Sequence, residues 1–210
     1  MRQAQLAALS GAPALVVVDV QRSFADPEYI QGYGADLPAV AAAVDTIAGL
    51  VTAARAAGVA VVWVELGSDP DRPWRASAWL RSGDPDAPFG PDEPCVLGTP
   101  GADWFGVTPL PGEIRVVKRG YSGFLGTGLR ELLTEARIGW LAVCGLTTEC
   151  CVAATATDAC QLDWPVLVPR DATAAYDTDL HQAALHQLEL NVGVLTDAAE
   201  LTRLWKEAAA

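Results

Sequence analysis

Histidine, positive charge and nucleotide-binding glycine motifs are scarce in this chain of 210 residues, and each shortage excludes a kind of site. The two histidines, His181 and His186, lie five positions apart on one predicted helix. They point in different directions, so a catalytic cysteine–histidine pair is not indicated. The segment GYSGFLG (120–126) matches neither a phosphate-binding loop nor a dinucleotide-binding motif, which excludes the usual nucleotide sites.

Positive charge is in short supply, with 14 lysines and arginines against 26 aspartates and glutamates, and the net charge is −12 at pH 7. Because nucleic-acid binding needs a basic face, we expect no nucleic acid as a partner. No apolar run reaches the roughly 18 residues of a membrane-spanning helix. The opening residues MRQAQLAALSGAP lack the pattern of a signal peptide. We therefore expect no membrane partner and a cytoplasmic location.

The five cysteines are odd in number and contain no C-x-x-C pair, so neither a zinc site nor a dithiol redox motif is indicated. We interpret them as free thiols in a reducing cytoplasm. Four of them fall within one predicted strand–helix unit, namely Cys144, Cys150, Cys151 and Cys160.

Apolar strand segments alternate with helical segments along the whole chain. The predicted strands cover residues 14–20, 59–65, 114–118, 141–144, 165–168 and 192–195. The predicted helices cover residues 36–57, 127–137, 148–162, 178–190 and 197–209. Strands that alternate with helices form parallel sheets with right-handed crossovers. The sequence therefore predicts one α/β domain, 1–210, around a sheet of six strands.

The segment 141–157, LAVCGLTTECCVAATAT, carries the strongest indication of chemistry. It predicts a buried strand, a sharp turn at 145–147 and a helix that begins at Thr148, whose hydroxyl is a good N-cap. Cys151 falls in the first helical turn, where N–H groups and the helix dipole favour an anion and ease ionisation of a thiol. A thiolate there would be a nucleophile. The alternative is that Cys151 is a small buried apolar side chain.

Two charged residues stand at the ends of other predicted strands. Asp19 follows the apolar run ALVVV, and Lys118 ends the strand IRVVK. Open α/β sheets place their sites at the carboxyl ends of strands, so we expect Asp19, Lys118 and Cys151 at one edge. Asp19 would then accept the thiol proton, Lys118 would hold Asp19, and Cys151 would attack a carbonyl carbon. The backbone N–H groups of Thr147 and Cys151 would hold the oxyanion. The alternative for Asp19 is a loop-capping carboxylate.

These segments together resemble the isochorismatase-like cysteine hydrolase family over roughly residues 14–195. The matching motifs are VVVDVQRSF around Asp19, VVKRGYSGFLGTGL around Lys118 and CGLTTECCVAATATDA around Cys151. The resemblance implies a three-layer α/β/α sandwich with a six-stranded, mainly parallel sheet, and a catalytic triad of these three residues. It also implies a cis peptide bond between Leu146 and Thr147 at the oxyanion turn, and assembly into homodimers or homotetramers.

Two departures from other branches of that family narrow the expected reaction. Nicotinamidases of the family carry an Asp-x-His metal site where this chain reads ELGSDPDRPWR (65–75), so we expect no metal and no cofactor. Isochorismatases proper have a small residue in place of the nucleophile, so the presence of Cys151 favours C–N cleavage. With these two branches set aside, the chain resembles the metal-independent amidohydrolases of the family, which act on N-carbamoylsarcosine, ureidoacrylate, biuret or maleamate. These cleave a small amide, carbamoyl or ureido compound through a thioester and release ammonia.

Three alternatives stay open at this point. The chain could be a nicotinamidase without the usual metal ligands, an isochorismatase-type ether or ester hydrolase, or a non-catalytic member that only binds a ligand. An intact set of Asp19, Lys118 and Cys151 argues against the last of these.

The substrate-binding residues are harder to predict. Motif position indicates Gln21, Phe24 and Tyr121. The long segment 67–112, rich in proline, glycine and aspartate, is either a lid or a surface excursion. Four arginines are candidates either for binding a substrate carboxylate or for facing solvent: Arg72, Arg75, Arg81 and Arg119. Further aromatic candidates for the pocket or the core are Tyr29, Trp63, Trp74, Trp79 and Phe124.

Overall fold

The strands form one parallel sheet in the computed structural model, which describes residues 1–34 and 36–208. The strands are β1 Ala12–Val18, β2 Ala60–Leu66, β3 Ile114–Lys118, β4 Ile138–Leu146, β5 Val166–Pro169, β6 Thr173–Ala174 and β7 Val194–Thr196. The order across the sheet is β3-β2-β1-β4-β5-β7, and β6 pairs with β4. The α/β class and the six main parallel strands are thus confirmed, and β6 adds a two-residue strand too short to leave a sequence pattern.

Helices connect these strands and cover both faces of the sheet. Four short ones (α1, α2, α3 and α5) were not predicted, because segments of four to eight residues show little periodicity. The predicted end of the closing helix at residue 209 lies outside the described residues. The helices are α1 Arg2–Ala7, α2 Arg22–Ala25, α3 Pro27–Ile30, α4 Leu37–Ala56, α5 Arg75–Ser82, α6 Leu129–Glu135, α7 Ala153–Gln161, α8 Thr178–Asn191 and α9 Ala198–Ala208.

The central strand β1 is buried on both faces, which explains its continuous apolar sequence. Alternate side chains enter two separate core clusters. Leu15 and Val17 pack in the cluster that includes residues of α4 and α9. Val16 and Val18 pack in the cluster that includes residues of α6, α7 and α8. The predicted three-layer α/β/α arrangement therefore holds, with the sheet as its middle layer.

Helix α4 contradicts one expectation drawn from the sequence. Its 20 residues are long and apolar enough, by length and composition, to cross a membrane. The expectation that no apolar segment is long enough for a membrane span is therefore wrong. The helix has another use for its apolar residues, because Val40, Val44, Ile47 and Val51 lie in the core cluster beneath the sheet. A core helix of this kind passes the same test of composition as a membrane span.

The register of the strands brings their carboxyl ends to one edge. Val18 of β1 is level with Val64 of β2 and with Gly145 of β4. On the far side of β2, Leu66 is level with Lys118 of β3. Gly145 has a φ of +124°, and a Cβ there would lie 2.0 Å from the carbonyl oxygen of Val18. Only glycine allows β4 to approach β1 so closely at this edge.

Candidate active site

Three of the predicted residues meet at this edge. The Lys118 ammonium lies 2.7 Å from Oδ2 of Asp19 and 3.4 Å from Sγ of Cys151. It also donates a hydrogen bond of 2.9 Å to the carbonyl oxygen of Gly120. The side chains of Asp19 and Lys118 are both 0% exposed, and Cys151 is 7% exposed. A buried ammonium thus bridges a buried carboxylate and a thiol.

Asp19 leaves β1 in an unusual backbone conformation. Its φ is +51°, in the left-handed region that residues with a Cβ rarely occupy. Its amide still donates a hydrogen bond of 2.8 Å to the carbonyl oxygen of Val64. The residue is therefore held by the neighbouring strand at the point where the chain turns away from the sheet. Such outliers concentrate at functional sites.

The charges of the buried pair are set by burial and by each other. Burial raises the pKa of Asp19, and the Lys118 charge and the Cys151 thiol only partly oppose this. Burial lowers the pKa of Lys118, but the Asp19 carboxylate and the contact with the Cys151 sulfur outweigh it, so the net pKa is raised. Lys118 is therefore a cation, and Asp19 binds a proton more readily than an ordinary aspartate. That property suits a group that must accept a proton and return it.

The thiol of Cys151 behaves differently from the sequence-based expectation. Its pKa is raised by the contact with the Cys150 thiol, by burial and by the Asp19 carboxylate, against the effect of Lys118. The two sulfur atoms lie 4.0 Å apart. The expectation that the helix start makes Cys151 ionise more easily than a free cysteine is therefore wrong. The resting residue is a thiol, and it needs a base to become a nucleophile.

A tight turn connects β4 to the thiol. The peptide bond between Leu146 and Thr147 is cis, as the family resemblance implies. Thr147 then begins a π-helical turn, Thr148–Val152, which precedes α7. The Thr147 carbonyl accepts hydrogen bonds of 3.2 Å from the amides of Cys150 and Val152. The Thr147 hydroxyl donates to Oε1 of Glu149 at 2.8 Å. The backbone on both sides of Cys151 is thereby fixed.

Thr148 does not have the predicted capping role. The N-cap position belongs to Thr147, and Thr148 is completely buried. Its Oγ1 lies 2.8 Å from Oγ1 of Thr173 and 2.8 Å from Nδ1 of His181. His181 therefore contacts the turn that carries the thiol, which the spacing of the two histidines along the chain could not reveal.

A cavity of about 250 Å³ opens at Cys151. Leu146, Thr147, Cys150 and Cys151 line it from the turn. Two predicted substrate-binding residues, Phe24 and Tyr121, also line it, together with Tyr176, which was not predicted. The opposite wall comes from the long segment, which supplies among others Ser68, Asp69, Arg72, Trp74, Arg81 and Phe89. The segment thus borders the cavity rather than forming a surface excursion.

Gln21 is the one predicted binding residue that does not line the cavity. Its Nε2 donates hydrogen bonds of 3.0 Å and 2.9 Å to the carbonyl oxygens of Leu66 and Ala102. Its Oε1 accepts a hydrogen bond of 2.9 Å from the Leu66 amide. The buried amide thus fastens Leu66, which precedes the long segment, and Ala102 within it, and the direct contact of Gln21 with a substrate stays a prediction.

The aromatic candidates divide between cavity and framework. Trp74 lines the cavity and packs edge-on against Tyr121, with ring centres 4.8 Å apart. Trp63 is a buried core residue whose Nε1 donates a 2.7 Å hydrogen bond to Glu113. The remaining candidates lie outside the cavity lining: Tyr29 beneath the Arg22 guanidinium, Phe124 stacked on Trp164, and Trp79 on the surface.

The arginine candidates divide in the same way. Arg72, Arg81 and Arg119 line the cavity. Arg81 is already neutralised by Glu93, whose Oε2 lies 2.6 Å from its guanidinium. Arg75 instead forms a surface ion pair with Asp86. Arg72 and Arg119 are therefore the two cavity arginines best suited to meet an anionic group of a ligand.

Solved structures share this arrangement of strands and helices. An isochorismatase family protein from Desulfovibrio vulgaris aligns with a TM-score of 0.77 and 29% identity, over 94% of this chain and 100% of that one. The N-carbamoylsarcosine amidase of Thermoplasma acidophilum aligns with a TM-score of 0.68 and 27% identity, over 89% of this chain and 96% of that one. The fold and its strand-end site thus define an isochorismatase-like α/β protein.

Sequence comparison leads to the family itself. The Isochorismatase domain matches residues 13–200. The ureidoacrylate amidohydrolase RutB of Cronobacter sakazakii is 34% identical over 211 residues, which cover 90% of this chain and 88% of that protein. Streptothricin hydrolase of Streptomyces noursei is 39% identical over 164 residues, 78% of this chain and 50% of that protein. The chain belongs to the isochorismatase family, among its amidohydrolases, which act on C–N bonds.

Proposed function

We propose that the protein is a cysteine-dependent amidohydrolase that cleaves a small amide, carbamoyl or ureido compound through a thioester. One observation carries this proposal: a single buried ammonium, on Lys118, contacts both the Asp19 carboxylate and the Cys151 thiol beside a cavity. Burial of a charged pair carries a desolvation penalty that lowers the stability of the fold. The position of this pair next to a thiol therefore favours a chemical role.

The first half of the reaction forms the thioester. Asp19 takes the proton of the Cys151 thiol, and the Lys118 charge stabilises the resulting thiolate. Sγ then attacks the substrate carbonyl carbon, and the backbone N–H groups of Thr147 and Cys151 stabilise the oxyanion. When the tetrahedral species collapses, the C–N bond breaks and the leaving nitrogen takes the proton from Asp19.

The second half restores the enzyme. Asp19, again a carboxylate, accepts a proton from water as the water oxygen attacks the thioester carbon. Collapse breaks the C–S bond, and the Asp19 proton returns to the sulfur. The sum is one amide and one water converted to an acid and an amine or ammonia. The raised pKa of Asp19 fits these two proton transfers in each direction.

The relatives guide the choice of substrate class. RutB is named for ureidoacrylate and the amidase from Thermoplasma for N-carbamoylsarcosine, and both compounds join a carbamoyl group to a carboxylate. Arg72 and Arg119 line the same cavity as the thiol, and we assign them to such a carboxylate. We therefore propose an anionic ureido or carbamoyl compound as the substrate.

The test is ammonia release from a panel of small amides and ureides, including ureidoacrylate, N-carbamoylsarcosine, nicotinamide and a neutral amide. The wild type is compared with Cys151→Ala and with Cys160→Ala, a matched control because Cys160 lies on α7, after the π turn. We expect turnover in the wild type and the control and none above background in Cys151→Ala. Intact-protein mass spectrometry during turnover should detect an acyl adduct that disappears in Cys151→Ala.

A chelator in a parallel assay tests the prediction of metal independence. In residues 1–34 and 36–208 no three histidine, cysteine, aspartate or glutamate side chains are grouped so that they could hold a metal ion. Turnover that the chelator abolishes would contradict the proposal, and so would equal activity of Cys151→Ala and wild type. The homo-oligomeric assembly and the cytoplasmic location stay predictions.

A further inference from the structure

A short chain of hydrogen bonds lies behind the turn that carries the thiol. Thr148 is 0% exposed, and its Oγ1 is 2.8 Å from both Thr173 Oγ1 and His181 Nδ1. The three residues come from three separate elements: the π turn, β6 and α8. Thr173 is level with Gly145 of β4, one residue before the cis bond begins. The contacts therefore fasten the turn from the side away from β1.

We propose that His181 is a positioning residue that, through Thr148, holds the turn 147–151 in the geometry required for catalysis. The inference rests on the proposed function, because the N–H groups that it positions are those assigned to the oxyanion. Thr148 directly follows Thr147, so a shift of its buried side chain displaces the Thr147 peptide. Small misplacements of such groups lower the rate of the chemical step rather than substrate binding.

The direction of the hydrogen bonds depends on the tautomer of His181. A neutral imidazole with its proton on Nε2 accepts at Nδ1 from the Thr148 hydroxyl, and the Thr148 oxygen is then free to accept from the Thr173 hydroxyl. An imidazole with a proton on Nδ1 donates to the Thr148 oxygen instead, and the Thr148 hydroxyl then donates to Thr173. In either direction Thr148 links His181 to β6.

The charged groups around His181 act in opposite directions. Burial lowers its pKa, whereas the carboxylates of Glu149 in the π turn and Asp36 before α4 raise it, and the net pKa is lowered. Arg170, which follows β5, borders the same surface cavity as His181, and so do His186 and Glu189 on α8 itself. The lowered pKa favours the neutral imidazole at neutral pH, and a neutral imidazole can accept at Nδ1 from the Thr148 hydroxyl.

Nuclear magnetic resonance of the protein labelled with ¹⁵N-histidine tests the contact, since the chain has two histidines. We expect His181 to give the signals of an imidazole whose Nδ1 takes part in a hydrogen bond. Thr148→Val keeps the shape but removes the hydroxyl, and it should change the Nδ1 shift and the titration of His181 while leaving His186 unchanged. A His181 signal that is identical in wild type and Thr148→Val would overturn the proposal.

Kinetics test the role. His181→Gln should lower kcat about three- to tenfold with little change in KM, the loss expected for a weakened hydrogen bond. It should also alter the acid side of the kcat profile, because the group that titrates is removed. His186→Gln, on the same helix, is the matched control and should match wild type. A variant His181→Gln with unchanged kcat and unchanged pH profile would contradict the positioning role.

Absence of turnover in wild type would instead refute the proposed function, while the nuclear magnetic resonance spectra would still decide whether His181 contacts Thr148.

Discussion

Asp19, Lys118 and Cys151 form a strand-end cluster on one side of the cavity, and the long segment 67–112 lies on the other. The two regions differ in how deeply their side chains are buried. Asp19 and Lys118 are fully buried; Asp19 directly follows β1, Lys118 ends β3, and the register of the sheet places both at one edge. On the long segment, helix α5 has only eight residues, and its Trp79 and Leu80 are 59% and 68% exposed. From this difference we propose that the two regions have separate tasks: the sheet edge carries out the reaction, and the segment selects the substrate.

The segment is nevertheless fixed to the sheet edge at its base. Gln21 fastens it at Leu66 and Ala102 through three hydrogen bonds. The Ser68 hydroxyl donates to the Pro94 carbonyl at 2.7 Å, which ties two parts of the segment together. The portion between these contacts carries the residues that line the cavity. Four predictions, from the largest expected effect to the smallest, separate the contributions of the two regions.

The largest effect is expected for Lys118→Met. Removal of the cation leaves the Asp19 carboxylate buried without a partner, which should lower the free energy of unfolding by about 3–5 kcal/mol and abolish turnover. Denaturant titration measures the first and ammonia release the second. Arg115→Met is the control on the same strand, since the surface ion pair of Arg115 with Glu65 should contribute less than about 1 kcal/mol.

The double variant Asp19→Asn, Lys118→Met should regain stability but not activity. Equal stability losses for the Lys118 and Arg115 variants would show that the buried pair is not the element that holds this edge.

A smaller effect is expected for Gln21→Leu. The substitution leaves backbone groups of Leu66 and Ala102 without their partners, at a cost of about 1–3 kcal/mol in unfolding free energy. Because the segment loses its anchor while the cluster of Asp19, Lys118 and Cys151 keeps its contacts, KM should rise more than kcat falls. Steady-state kinetics and denaturant titration check the two parts. A loss confined to kcat would mean that Gln21 acts on the reacting groups themselves.

The next effect concerns recognition alone. Arg119→Met should raise KM about tenfold for an anionic ureide, as expected when a charge-assisted hydrogen bond is lost, and leave a neutral amide unaffected. Arg72→Met should act in the same direction. Arg75→Met is the control, because Arg75 pairs with Asp86 and is not part of the cavity lining. Equal changes for anionic and neutral substrates would contradict the assignment of these arginines to a carboxylate.

The smallest change is a shift of the pH profile. Asp19 must be ionised to accept the thiol proton, and burial raises its pKa. The value of kcat/KM should therefore fall, as pH decreases, at a higher pH than an ordinary aspartate would give, about 3.9. Arg119→Met should leave this acid limb in place, since Arg119 acts on substrate binding. An acid limb below the ordinary aspartate value would argue against Asp19 as the base.

Much of this site could be predicted from one sequence for a simple reason. Parallel strands connected by helices all end at the same edge, so polar residues at strand ends, Asp19 and Lys118, converge whatever the details of packing. The strand–turn–helix pattern placed Cys151 at that edge as well. The anchoring contacts of Gln21 could not be predicted, because its partner Leu66 is 45 residues away along the chain.

The sequence by itself determined the α/β fold, the position of the strand ends and the identity of the three groups that meet there, because these depend on local patterns and on the geometry of parallel sheets. Only the tertiary structure decided how those groups behave. The pKa of Cys151 is raised rather than lowered, because the contact with Cys150, burial and the Asp19 carboxylate outweigh the Lys118 charge. Thr148 binds Thr173 and His181 rather than capping a helix. Solvation and contacts between distant residues set these properties, and neither is visible in the order of residues along a chain.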